Sequence, residues 1–184
     1  MLPILLAALA LFSAAAAGAE THGVKMPDAV SIDDKSLKLN GIGVRTKTFL
    51  NIKVYVAGLY LEAPSNDPNK IIALDGVRRL QLRMTHDAPK ARLVEEIVEG
   101  LRRNAGDKMD ALRERLAVFL GGVPDLEDGE TLTITYAPDK GTSVVGTGGA
   151  EVTVPGKDFA DALISAWLDT KPLDHDLKKR LLGE

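Results

Sequence analysis

Apolar and polar positions follow a strand-like pattern over residues 30–61. Val30 and Ile32, then Leu37 and Leu39, are separated by Asp33-Asp34, a pair suited to a tight turn. Gly41 and Gly43 interrupt the next run, which predicts a bulge or a close backbone approach. Residues 44–50 and 52–61 are rich in β-branched and aromatic side chains and are expected to be strands. After the loop Pro64-Ser65-Asn66-Asp67-Pro68, residues 71–74 and 80–84 read as further short strands. The period then changes. Leu93, Ile97, Val98 and Leu101 fall on one face of a helix over 89–104, with Asp87 as its expected N-cap and Pro89 in its first turn. A second helix over 107–120 turns Met109, Leu112, Leu116 and Phe119 inward and stops at Gly121-Gly122. Strands return at 131–136, 142–145 and 151–154, and helices over 158–168 and 174–182 finish the chain. Strands, helices, strands, helices, without regular βαβ alternation, predict an α+β domain: an antiparallel sheet with helices on one side.

Residues 1–19 carry no charged side chain and end in Ala17-Gly18-Ala19 before Glu20. The apolar run is shorter than a comfortable membrane span and ends in small residues, so a secretory signal peptide is expected over 1–19. Residues 20–184 would then form one exported, periplasmic domain. The alternative is an uncleaved N-terminal anchor, since no Lys or Arg precedes the apolar run. The absence of cysteine removes disulfides, thiol catalysis and Cys-based metal sites, so the core must hold the fold unaided. A net charge of −3 with both signs interspersed gives no basic field for nucleic acid. No later run is apolar for long enough to span a bilayer.

Catalytic patterns are sparse. His22, His86 and His175 are too dispersed to suggest a local ligand pair, so no metal is expected. Gly146, Gly148 and Gly149 precede a strand rather than a helix and read as a hairpin turn, not a phosphate loop. The helix charges read as solvated faces. No catalytic residue or cofactor is assigned.

The stretch LNGIGVRTKTFLNIKVYVAGLYLE (39–62) carries the chemistry. Arg45 and Lys47 share strand parity with Phe49, and Lys53, Tyr55, Ala57, Leu59 and Leu61 share a face on the next strand. Opposed hairpin residues have constant index sums. A three-residue turn centred on Leu50 or Asn51 therefore puts Arg45 and Tyr55 on one face, whereas a two-residue turn at Leu50-Asn51 separates them. A guanidinium and a phenol beside apolar side chains suit a ligand with an anionic head and an apolar tail. Lys47 is the alternative anchor if the turn is longer. The competing reading has Arg45 facing solvent and Tyr55 merely packing.

This stretch, with MPDAVSIDDKSLKLNG before it and YAPDKGT, DFADALISAWLDTKP and LKKRLLG after it, resembles the chalcone isomerase-like family in its exported bacterial branch. Asp169 stands where the resemblance leads one to expect glycine, which bears on how its helix ends. The resemblance implies an open-faced β-sandwich, a large antiparallel sheet covered by helices with a ligand cleft between. Arg45 resembles the strand arginine of the plant isomerases, but Tyr55 stands at their catalytic threonine. The helix over 89–104 has no tyrosine and carries Glu96 near the place of their asparagine. Isomerase activity is therefore not expected. Superfamily relatives that bind fatty acids pair an arginine and a tyrosine at the positions resembling Arg45 and Tyr55. The resemblance thus implies a non-catalytic periplasmic binding protein for a fatty acid or similar amphiphilic carboxylate. Alternatives are a small lyase or isomerase acting on a conjugated substrate, and a structural envelope protein with a closed cleft.

Overall fold

A computed structural model describes residues 18–47 and 52–184. The expected signal peptide, up to residue 17, and residues 48–51, where the hairpin turn was expected, lie outside the described residues. Seven strands, β3 (Ala29–Ile32), β4 (Lys35–Lys47), β5 (Ile52–Leu61), β6 (Arg78–Met84), β7 (Thr131–Ala137), β8 (Gly141–Gly146) and β9 (Val152–Val154), form one antiparallel sheet. Their spatial order is their chain order. A separate hairpin, β1 (Gly18–Thr21) with β2 (Val24–Pro27), precedes it. The helices are α1 (Pro68–Ala73), α2 (Lys90–Ala105), α3 (Met109–Gly121), α4 (Lys157–Leu168) and α5 (His175–Leu181). The α+β antiparallel architecture expected from the sequence is therefore the one found.

From Tyr55 onward, strand β5 is buried on both sides because both faces of the sheet are covered there. Tyr55, Ala57, Leu59 and Leu61 join the main core with Leu80, Leu82, Leu132 and Ile134 from the sheet and Leu93, Ile97, Phe119, Phe159 and Trp167 from the helices. Each such large side chain contributes about 1.5–3 kcal/mol relative to exposure. On the other face Tyr60 packs with Leu37 and Val77. Beside it Met26 of β2 lies over Gly58, where a Cβ would meet the sulfur. The interruption at Gly41 and Gly43 is both a bulge and a close approach. The β4–β5 register shifts between Leu39 and Gly41. Helix α5 also lies against both glycines, through the Arg180 carbonyl at Gly41 and the Leu177 and Arg180 side chains at Gly43.

Three local expectations are corrected. Residues 71–74 are not a strand: Asp67 accepts from the N–H groups of Asn69 and Lys70, Pro68 opens the first turn, and α1 results. Arg78, buried in the core, donates from Nη1 to the carbonyls of Ile71, Ile72 and Leu74 and so holds the C-terminal end of that helix. Asp87 does not cap α2. Its carboxylate accepts from the Asp128 N–H, while Asp125 accepts from the Lys90 N–H at the helix start. Asp169 ends α4 in an extended conformation, so no left-handed cap is needed where glycine was expected.

Candidate functional site

The site is set by a bulge. Beside the undescribed turn, Lys47 opposes Ile52 and Thr46 opposes Lys53. The register then shifts by one residue, Val54 being the extra one, and Arg45 opposes Tyr55. The parity nearest the turn would have separated these two residues. The bulge reunites them, by a route the three-residue turn did not anticipate.

Arg45 does not face solvent. Its Nε donates to Glu96 Oε1 at 2.8 Å, and its Nη1 donates to the Thr46 carbonyl at 2.9 Å and to Asp174 Oδ2 at 3.2 Å. The Arg45 and Glu96 side chains are each 13% exposed. Tyr55, 1% exposed, donates its hydroxyl to the same Glu96 oxygen at 3.2 Å and accepts from Trp167 Nε1 at 3.0 Å. A single carboxylate oxygen thus receives both the guanidinium and the phenol.

Each member of the cluster is held by its element. Glu96 stands at the margin of the α2 stripe formed by Leu93, Ile97, Gly100 and Leu101. Gly100 lets α2 approach α4 closely, since a Cβ there would lie 2.6 Å from that of Ala166. Asp174 caps α5 with Oδ1, accepting from the N–H groups of Asp176 and Leu177, and offers Oδ2 to Arg45. Burial alone would lower the Arg45 pKa, but the charge of Glu96 and its hydrogen bond, with Tyr55 and Asp174, raise it instead. Burial, then the Glu96 charge, pushes the Tyr55 phenol well above its ordinary value, so it stays protonated.

A cavity of about 480 Å³ lies over this cluster, between the β4–β5 end and α2. Ile52, Val54, Leu93 and Leu173 give it apolar wall, and Arg45, Lys47, Lys53, Arg92, Glu95 and Glu96 give it charge. Tyr55 lies behind that wall. Lys47, Lys53 and Arg92 have no ion pair among the described residues. Arg92, Glu95, Glu96, Glu99 and Arg103 repeat on one side of α2 and line this cavity, while Arg92, Glu95 and Arg103 are exposed as a solvated face is. A separate pocket of about 20 Å³ lies between the sheet and α4, walled by Trp167, Leu80, Ile134 and Thr142 among others. Among the described residues no group of three or more His, Asp or Glu side chains is placed to hold a metal ion.

Of the residues picked out in the sequence, Arg45 and Tyr55 meet in one cluster and Lys47 lies in the cavity wall. Glu96, Asp174 and Trp167 were not assigned to the site. For Glu96 the available signals were its place near the isomerases' asparagine, through the resemblance, and a charge at the margin of an apolar stripe; for Asp174 the signal was an N-cap.

The long meander of antiparallel strands under a helical layer, with a cavity at one end, defines a ligand-cleft α+β fold. The sequence profile of the chalcone isomerase-like family matches residues 18–183, and the chain belongs to that family. No curated protein sequence matches it significantly. Among solved structures it is similar to the crystal structure of a fatty-acid binding protein from Arabidopsis thaliana. The TM-score is 0.65 at 17% identity, over 87% of this chain and 92% of the other.

Proposed function

We propose that this protein is a non-catalytic binding protein for a fatty acid or a similar amphiphilic carboxylate, exported to the periplasm. The observation that carries the reading is the 480 Å³ cavity with Arg45 and Lys47 in its wall. Its volume falls in the range of small-molecule sites, about 300–1,000 Å³. Its lining combines apolar side chains, including the exposed Ile52, with cations that suit an acidic head. The similarity to a plant fatty-acid binding protein supports the same ligand class. A non-catalytic role fits the state of Tyr55, whose phenol is sealed, protonated and already committed to Glu96 and Trp167.

The test is native mass spectrometry of protein purified from periplasm, followed by lipid extraction and calorimetry with a long-chain fatty acid. Co-purifying amphiphile and saturable binding are expected. Absence of both would favour the structural envelope protein, a reading to which the small size of the sheet–α4 pocket, about 20 Å³, lends support.

A further inference from the structure

The Arg45–Tyr55 pair is already engaged from within the protein through Arg45 Nε and Nη1 and the Tyr55 hydroxyl, while Arg45 Nη2 has no hydrogen bond among the described residues. Glu96 Oε1 accepts from Arg45 Nε at 2.8 Å and from the Tyr55 hydroxyl at 3.2 Å, as one oxygen of a bound carboxylate would. Tyr55 has no hydroxyl capacity to spare, since its one proton goes to Glu96 and its oxygen accepts from Trp167. Arg45 also faces Asp174, so one cation already stands against two carboxylates. A third carboxylate added there would meet uncompensated repulsion.

We propose that Glu96 is an internal stand-in for the ligand's head group, and that a carboxylate ligand engages Arg45 and Tyr55 together only by exchanging with it. Glu96 is placed for that exchange. It forms part of the cavity wall, and its Oε2 has no hydrogen bond among the described residues. That second oxygen is not sealed either, because Thr142 Oγ1 is the one fully buried side-chain polar atom without a partner among them. Swung outward, the carboxylate enters a cavity that also holds Lys47, Lys53 and Arg92, cations able to receive it. The inference rests on the amphiphile-binding reading and adds its specificity element: Glu96 sets how strongly a carboxylate is preferred over a neutral head.

The test compares a saturated twelve-carbon fatty acid with the alcohol of the same length. Wild type, Glu96→Gln and Glu96→Ala are each titrated at one pH and ionic strength. Trp167, the chain's single tryptophan, donates to Tyr55 and reports occupancy through its fluorescence. Glu96→Gln keeps the shape and removes the charge, so the ratio of acid to alcohol affinity should rise roughly ten- to hundredfold, the worth of a charge-assisted hydrogen bond. Glu96→Ala should move it in the same direction. Thermal melts of each variant separate loss of fold from loss of binding. If wild type binds the acid and folded Glu96→Gln shows an unchanged ratio, the exchange is wrong while the binding reading stands. If no folded variant binds either probe, both fail. Acid binding by Glu96→Gln but not by wild type would be the clearest support.

Discussion

A guanidinium set against two carboxylates is not removed without consequence. Arg45→Ala would leave Glu96 and Asp174 facing each other in a mostly buried place. Breaking one side of a buried pair costs about 3–5 kcal/mol, so chemical denaturation of Arg45→Ala should show a loss of that order. Adding Glu96→Gln to Arg45→Ala should recover part of it. Tyr55→Phe orphans the Trp167 indole N–H and removes a bond to Glu96, for an expected loss of about 1–3 kcal/mol by the same measurement. Lys47→Ala, with no ion pair among the described residues, should leave stability within about 0.5 kcal/mol of wild type. At this scale the sequence disclosed Arg45 and Tyr55, because strand parity and residue type are local properties. Glu96 and Asp174 were not legible as partners: they reach Arg45 from 51 and 129 residues away, a juxtaposition that packing creates.

Elements with a long, strongly periodic pattern were read correctly, as α2 shows through Leu93, Ile97 and Leu101. The short α1 was misread because Ile71 and Ile72 look like strand residues, while the decisive groups, Asp67 and Arg78, flank the helix. The β4–β5 bulge was also beyond reach, since a one-residue shift leaves the alternation pattern intact on either side. Strand β1 bears on export. A cut after Ala19 would remove Gly18 and Ala19, which pair with Pro27 and Met26. A cut after Ala17, where Ala15-Ala16-Ala17 also offers small residues, keeps all four pairs. If the chain is exported as proposed, mass spectrometry should therefore find Gly18 at the N-terminus, and protein engineered to start at Glu20 should melt at a lower temperature. A start at Glu20 in the exported protein would restore the cut expected from the sequence, and Met1 retained on membrane-bound protein would remove the export reading.

Across the whole molecule, all three tyrosines are raised above the ordinary phenol value. Tyr60 and Tyr136 are pushed to about 12, mainly by burial, and Tyr55 is moved upward for the same first reason. A phenol that holds its proton more tightly folded than unfolded contributes fully below about pH 10, and the contribution is lost as pH rises through the folded value. Tyrosinate absorbance should therefore be absent from the native protein near pH 10 and should appear at higher pH together with loss of circular dichroism. The spatial order of the seven strands has a different consequence, for the order of assembly. Each strand's partner is its neighbour in the chain, so β3–β5 and β7–β9 can grow by local hairpins, while β6 joins β5 across α1 and β7 across α2 and α3. The Arg45–Tyr55 cluster cannot: Trp167 reaches Tyr55 across 112 residues and Asp174 reaches Arg45 across 129. A chain emerging from its N-terminal end would complete its scaffold while the cluster still awaited the last helices. During refolding, tryptophan fluorescence should consequently settle after the far-ultraviolet signal, and a chain interrupted before residue 167 would carry the sheet with no finished place for a ligand.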